Sequence, residues 1–331
     1  MISVLQRFVN IRREEVAPTF ASALFFFFVL SGLMVIRPAR EGLGVEAGMD
    51  AVRWLFMGTA VVTLLVNPIF GWMVSRFHRL FFISATYLFF AASLVGFYML
   101  LTTAPEAVGN TSGMVFYVWF SVFNLFVTMV FWALMVDRFS LEQSKRLFGV
   151  VAVGGTLGAI FGPWVASQAA EPLGTESLLL IGVGFLFLSV GAAWLVALLQ
   201  PEQARVDDDP EAPPAVDERS VIGGSAWEGF RAVFRSPYLA GISGYVLILA
   251  VMATFIYFTR LQLVAAAGDD LDTRTALFAQ IDFYTQVATL VLQAIVTGHV
   301  MRRLGVPFAL ALVPITAALG SIGLAIAASF V

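Results

Sequence analysis

The sequence predicts an all-α polytopic membrane protein, and three observations carry that prediction. Hydrophobic residues make up 60% of the 331 positions, with 32 Phe among them, and charged residues only 12%. That charged share is about half of what a soluble domain carries, and a water-soluble globule of this size has too little interior for so much apolar surface. The apolar residues come in charge-free runs of about 20 or more, the length of helix that crosses hydrocarbon roughly 30 Å thick. Those runs are apolar on all sides, whereas barrel strands are short and alternate apolar with polar. Composition also excludes function classes. With no Cys and only His78 and His299, thiol chemistry, disulfides and a Cys- or His-rich metal centre have no raw material. A net charge of −3 gives no footprint for nucleic acid.

Nine candidate spans follow in order: Val16–Ile36, Trp54–Ser75, Leu80–Pro105, Ala107–Val136, Leu147–Ala170, Ser177–Pro201, Ser236–Thr259, Thr275–Met301 and Leu304–Val331. Each is bounded by charge, Pro or Gly. Arg12-Arg13-Glu14-Glu15 leads straight into the first, and no A-x-A-like cleavage site lies near its end. Lys and Arg orient the set. With the N-terminus in the cytoplasm, Arg7, Arg12, Arg13, Arg76, Arg79, Arg138, Lys145, Arg146, Arg205, Arg219, Arg231, Arg235, Arg302 and Arg303 fall inside. Arg37, Arg40, Arg53, Arg260 and Arg274 fall outside, so 14 of the 19 basic residues are cytoplasmic.

The organisation is 6 + 3. Residues 1–200 hold six spans and 236–331 hold three. Between them, 201–235 contains Asp207-Asp208-Asp209-Pro210 and Pro213-Pro214, an acidic Pro-rich linker expected to be disordered and cytoplasmic. Its end places Trp227, Phe230 and Phe234 at helical spacing, with Glu228, Arg231 and Arg235 on other faces. That pattern fits an interfacial amphipathic helix or a packing helix under the bundle. The halves echo each other. The second span ends Gly71…Arg76…His78-Arg79 and the eighth ends Gly298…Arg302-Arg303, each with a Gly followed five residues later by a basic turn. Repeated halves of six spans resemble the major facilitator architecture, which predicts that three further spans follow Val331. A nine-span protein is the alternative. The basic turns either lock one conformation or serve as ordinary interface anchors.

In the fifth span, Gly154, Gly158 and Gly162 recur every four residues and Pro163 follows. Small residues at that spacing let two backbones approach closely, and the proline kinks the helix. The Gly158–Pro163 run resembles the antiporter-type motif of major facilitator proteins, so the stripe reads either as tight packing or as a rocking interface. Polar groups at mid-membrane depth are costly and need partners. Asn67 precedes Pro68 in the second span, and Asn124 sits near the middle of the fourth. In the eighth, Asp282, Gln286, Thr289 and Gln293 share one face at i, i+4, i+7 and i+11. Asp282 is the one acid deep inside a span. It reads as a substrate or ion contact, a proton carrier, a structural partner of Arg37, Arg40 or Arg260, or a residue at headgroup depth. After the first span comes Arg37-Pro38-Ala39-Arg40-Glu41-Gly42. Pro38 predicts a kink or break near Ile36. If the helix continues, Arg37 and Arg40 share a face and form either an anion-gripping pair or an interface anchor partly neutralised by Glu41.

Two stretches resemble the ATP/ADP translocases, nucleotide exchangers of plastids and intracellular bacteria. Ile36-Arg-Pro-Ala-Arg-Glu-Gly-Leu43 is similar to their Leu-Arg-Asp-x-Lys-Asp-x-Leu segment. Phe131-Trp132…Asp137…Glu142-Gln-Ser-Lys145-Arg146-Leu-Phe148-Gly149 is similar to their Phe-Trp-x-Phe-x-Asn…Glu-Ala-Lys-Arg-Phe-Tyr pattern. The resemblance implies a major facilitator fold and adenine nucleotide exchange without proton coupling. It implies roles for basic residues at the first-span exit, matched by Arg37 and Arg40, and for an eighth-span acid, matched by Asp282. Arg40 stands where the family has Lys, and Tyr117–Ser121 lacks the family's fourth-span acid.

The reading that results is a secondary active transporter, not an enzyme, for an organic anion, with a nucleotide as one candidate, working by alternating access. Arg37 and Arg40 handle negative charge, Asn124, Gln286 and Gln293 orient polar groups, and Asp282 couples or gates. Gly71, Arg76, Gly154, Gly158, Gly162, Pro163, Gly298 and Arg303 serve gating and helix packing. No cofactor or metal is expected and no phosphate-gripping Gly-rich loop is present, so ATP hydrolysis is not the driver. The expected setting is a bacterial inner membrane with lipid around the chain. The alternative is a membrane assembly subunit that keeps the fold and docks a protein partner.

Overall fold

A computed structural model of the chain describes residues 11–76, 79–103, 106–200 and 233–293, with scattered helical positions between 303 and 323. After a 3-10 turn at Arg13–Glu15 come α1 (Val16–Glu46), α2 (Met49–Arg76), α3 (Arg79–Thr103), α4 (Glu106–Arg138), α5 (Leu141–Leu173), α6 (Ser177–Leu199), α7 (Pro237–Ala267) and α8 (Leu271–Val291). No strand occurs among the described residues. Seven of these helices, α1 to α7, are long and apolar enough to cross a membrane. The eighth, which carries Asp272, Arg274 and Asp282, is the polar exception. The acidic linker and the residues Trp227, Glu228, Phe230 and Arg231 lie outside the described residues, as do Gly298 and most of the ninth candidate span.

Two compact units divide the chain. One comprises residues 1–203 and 264–290, the other 204–263 and 291–331. In the first, α1 is the central helix, packed on α4, α5 and α6, while α3 packs on α4 and α6 and α2 leans on α4. Its core is aromatic. Phe25, Phe116, Phe123, Phe131, Tyr87 and Tyr117 are fully buried. Phe26 and Phe131 stack 4.2 Å apart, and Trp119 stacks on Phe123 at 5.2 Å. Offset and edge-to-face rings fill volume with defined geometry, which lipid-facing aliphatics do not supply. In the second unit, α7 presents an apolar surface that is almost wholly exposed, as expected of a helix bathed in lipid.

The glycine stripe of α5 explains its close pairing with α1. A Cβ on Gly154 would strike the carbonyl of Ala23, one on Gly158 the carbonyl of Phe27, and one on Gly162 would lie 2.7 Å from the carbonyl of Ser31. Both series step by four, so two parallel helices mesh their i±4 ridges with backbone against backbone. The Ser31 hydroxyl donates to the Gly158 carbonyl at 3.5 Å. Helix ends are tied as well. Ser140 and Gln143 form a capping box at the start of α5. Arg146 grips the buried carboxylate of Glu15 at 2.9 and 3.2 Å, and Gln143 adds a bond of 3.2 Å.

Several helices outrun the apolar segments that mark them. The first runs through Pro38 to Glu46 instead of breaking near Ile36. The fifth begins at Leu141, six positions before its charge-free stretch, and runs through Pro163. Both continue because neighbouring helices satisfy their polar residues, and a proline ring is tolerated where packing holds the axis.

Asp270 precedes α8 and accepts from the Thr273 backbone N–H at 2.8 Å and its hydroxyl at 3.0 Å. The backbone bond is the main cause that holds its carboxyl below the ordinary carboxylate range, against a small opposing effect of desolvation. A depressed folded-state pKa gives stability that is present above the unfolded value and lost as pH falls through the folded one. The protection factors of the amides at Asp272–Arg274, taken relative to intrinsic exchange at each pH, are therefore expected to fall below about pH 4, and Asp270→Ala to show the lower protection already at pH 7.

Candidate functional site

The last three turns of α1 gather the polar residues that the sequence singles out. Arg37 projects toward α8, where its Nε lies 3.8 Å from Asp282 Oδ2. The Asp282 side chain is 5% exposed and that of Arg37 36%, so the acid is buried and the guanidinium keeps an open edge. Arg37 Nη1 also lies 4.0 Å from Met34 Sδ, a long contact within its own helix. Three positions on, Arg40 turns the other way. Its Nη1 donates to Glu41 Oε1 at 2.8 Å and its Nε to the Tyr117 carbonyl at 3.2 Å. The guanidinium lies 3.7 Å from the centre of the Tyr117 ring and 5.9 Å from that of Phe120. Stacked on a ring and bonded to two separate acceptors, this arginine is held by both charge and ring face, a geometry that lysine cannot reproduce.

From Arg37 outward, α1 and α8 run antiparallel along a polar seam. Arg37 meets Asp282. Gly42 packs so closely on Thr275 that a Cβ would strike its hydroxyl. Glu46 accepts from Arg274 at 2.7 Å. The start of α6 joins the same seam, because Asp272 Oδ1 accepts from both the backbone N–H and the hydroxyl of Thr175 at 2.7 Å, and the Thr175 and Thr275 hydroxyls lie 3.0 Å apart. Thr175 and Thr275 are fully buried. Replacing Asp272 with Ala strips a buried N–H of its acceptor, which costs about 1–3 kcal/mol. Asp272→Ala is expected to lower the unfolding midpoint of the purified protein, and Asp272→Asn, which retains an acceptor oxygen, to lower it less.

The structure thus brings Arg37 and Asp282 together and turns Arg40 to a separate set of partners. Gln286 lies one turn beyond Asp282 and is half-buried. Asn124 on α4 is exposed, as is Gln293, which belongs to the second unit. Gly154, Gly158, Gly162 and Pro163 lie buried in α5. The backbone of Gly71 and Arg76 lies in α2 with their side chains outside the description, and Arg303 is helical and exposed. Reasoning from sequence missed Tyr117, Thr175, Asp272, Glu15 and Arg146. Only the Ser140–Gln143 spacing offered a local signal, as a capping box. The other partners lie 77 to 131 positions apart in the chain.

Comparison with known families decides the class. The family model described as Major Facilitator Superfamily matches residues 12–331. The chain belongs to the Major Facilitator Superfamily. No curated protein and no solved structure matches it. Members of this superfamily are membrane transporters, so the helical bundle belongs to a membrane transporter. The major facilitator match covers all eight helices, including the polar α8.

Proposed function

We propose that the protein is a secondary active transporter of an organic anion, working by alternating access, and that the polar seam between α1 and α8 is the gate at one face of the membrane. The observation that carries this reading is the Arg37–Asp282 contact: a buried acid on a mostly apolar helix, facing an arginine whose guanidinium is partly open. An intramembrane ionisable residue is expensive and marks a substrate or ion path by default. An anion that engages the open edge of Arg37 competes with Asp282 for it. The ligand then binds more tightly to the state in which the seam is parted, which is what shifts a two-state equilibrium. Arg40, one turn away, is fixed by Tyr117 and has its charge balanced by the buried Glu41 carboxylate. Gln286 follows Asp282 along the same helix and orients polar groups of the cargo, with Asn124 and Gln293 contributing in other states. The α5 glycine stripe and Pro163 provide a packed surface against which helices move, and Gly71, Arg76, Gly298 and Arg303 take the gating and helix-packing roles expected from the sequence.

Nucleotides are the first anions to examine, because 36–43 and 131–149 resemble segments of the ATP/ADP translocases. Exchange of one anion for another suits a site that retains a positive charge throughout the cycle. The excess of basic residues on alternate segments supports a cytoplasmic N-terminus and an inner-membrane setting. The test is uptake of labelled ATP, ADP and small dicarboxylates by proteoliposomes preloaded with unlabelled anion. Saturable, counter-anion-dependent uptake supports the reading. Absence of flux for every anion, from well-folded protein, overturns it in favour of a non-transporting assembly subunit.

A further inference from the structure

Away from the polar seam lies an apolar cavity that the transport reading does not use. Between α2 on one side and α3 and α4 on the other lies a cavity of about 880 Å³. Leu55, Val62 and Met73 line it from α2, Phe82 and Phe89 from α3, and Trp119 from α4, and Thr86 is the only lining residue that is not apolar. The gap exists because α2 leans on α4 while α3 packs on α4 and α6, leaving α2 and α3 with little mutual contact. Every lining residue except Met73 lies within a helix segment long and apolar enough to cross a membrane, so the medium that fills the gap is lipid rather than water.

We infer that this groove holds one acyl chain of an anionic phospholipid, whose phosphate lies level with the last turn of α2 and the first turn of α3. Shape favours a chain. The lining positions extend from Met114 to Phe126 on α4, roughly 18 Å of helix, and from Leu55 to Met73 on α2, roughly 27 Å. One leaflet of hydrocarbon is about 15 Å deep, so the groove is long enough for a chain to lie along it through a whole leaflet. Charge favours an anionic headgroup. The groove reaches Met73 on α2 and Phe82 on α3, each three residues from the helix end that faces the other. Those ends are Arg76 and Arg79, so two arginines fall within four positions of the sequence where the two helices end. Basic clusters of this kind beside spanning helices attract anionic headgroups, at a strength of about fivefold in affinity per charge near the surface. The occupant gains in the groove by filling space that would otherwise lack contacts, and it braces α2, which buries little of its own surface.

The inference does not rest on the transport reading, and its test needs no transport substrate. The full chain is purified into nanodiscs of phosphatidylglycerol and phosphatidylcholine, and retained lipid is identified by native mass spectrometry after transfer to mild detergent. A photoactivatable phosphatidylglycerol, with the reactive group in the acyl chain, maps the contact. Retention of phosphatidylglycerol over phosphatidylcholine, with labelling confined to α2, α3 and α4 lining residues, is the expected result. Ala85→Trp fills the slot and is expected to abolish both retention and labelling, and Val115→Trp does the same from α4 should the first variant misfold. Arg76→Gln/Arg79→Gln is expected to keep the acyl label while cutting the preference for phosphatidylglycerol about 25-fold. Equal retention of the two lipids overturns the headgroup assignment. Labelling that survives both Trp variants, or none in the wild-type chain because a protein segment fills the slot, overturns the acyl site.

Discussion

Gly158→Val is expected to stop α1 and α5 from packing and to leave little monodisperse protein. The Cβ of any residue at 158 would collide with the Phe27 carbonyl and lie 3.0 Å from the Phe27 carbonyl carbon and Cα, so the obstacle is backbone rather than a side chain that can rotate away. The same geometry recurs one turn away on either side, at Gly154 and Gly162, so the helices cannot tilt to spare one contact without worsening another. Overpacking a well-packed interior costs about 1–3 kcal/mol when side chains can shift. Here they cannot, and a loss above that range is expected. In a membrane, where apolar burial gives helices no reason to associate, close backbone approach is much of what holds them. Gly149→Ala is the control. It lies in the same helix with open space around its missing Cβ, and is expected to be neutral or slightly stabilising. Thermal unfolding in detergent, followed by size-exclusion chromatography, reads both.

The second large effect is at the Arg37–Asp282 contact, where single and double variants separate structure from function. Arg37→Gln takes the guanidinium away from a carboxylate that is only 5% exposed. Breaking a buried pair in this way costs about 3–5 kcal/mol. Asp282→Asn costs less, because Arg37 is about one-third exposed and water screens it. Arg37→Gln/Asp282→Asn removes both charges and is expected to recover most of the stability, as a buried pair replaced by neutral groups does. Flux behaves otherwise. Losing a charge-assisted bond worth about 1.5–3 kcal/mol weakens anion affinity by about 10- to 100-fold, and the double variant does not regain it. Stability recovered together with flux would make the pair a structural staple and nothing more.

Much of the bundle is legible in the sequence because hydrocarbon imposes a length and forbids unpaired backbone groups. The runs that begin near Val16, Leu80, Ser177 and Ser236 each became a helix. What charge-free runs do not reveal is where a helix goes after it leaves the hydrocarbon. The first helix keeps ten more residues past Ile36, with Arg37, Arg40 and Glu41 in them, because each of those charges finds a partner on another element or beside it. The glycine period in α5 was readable, and so was the direction of its consequence. Its partner helix was not, since Ala23, Phe27 and Ser31 carry no signature of being approached. In the site, Asp282 stood out as an acid among apolar residues and Arg37 was one of three possible partners. The roles of Thr175 and Asp272 were invisible, because a short-range pattern cannot announce a contact across 97 positions.

The most direct test of the seam as a moving gate uses the natural absence of cysteine. Glu46→Cys/Arg274→Cys places two thiols where Arg274 now donates to Glu46 at 2.7 Å. Proteoliposome flux is then measured before and after bridging with a cleavable bifunctional thiol reagent, and again after cleavage. The account requires flux to stop when the bridge forms and to return when it is cut. Undiminished flux through fully bridged protein would show that α1 and α8 never part during transport.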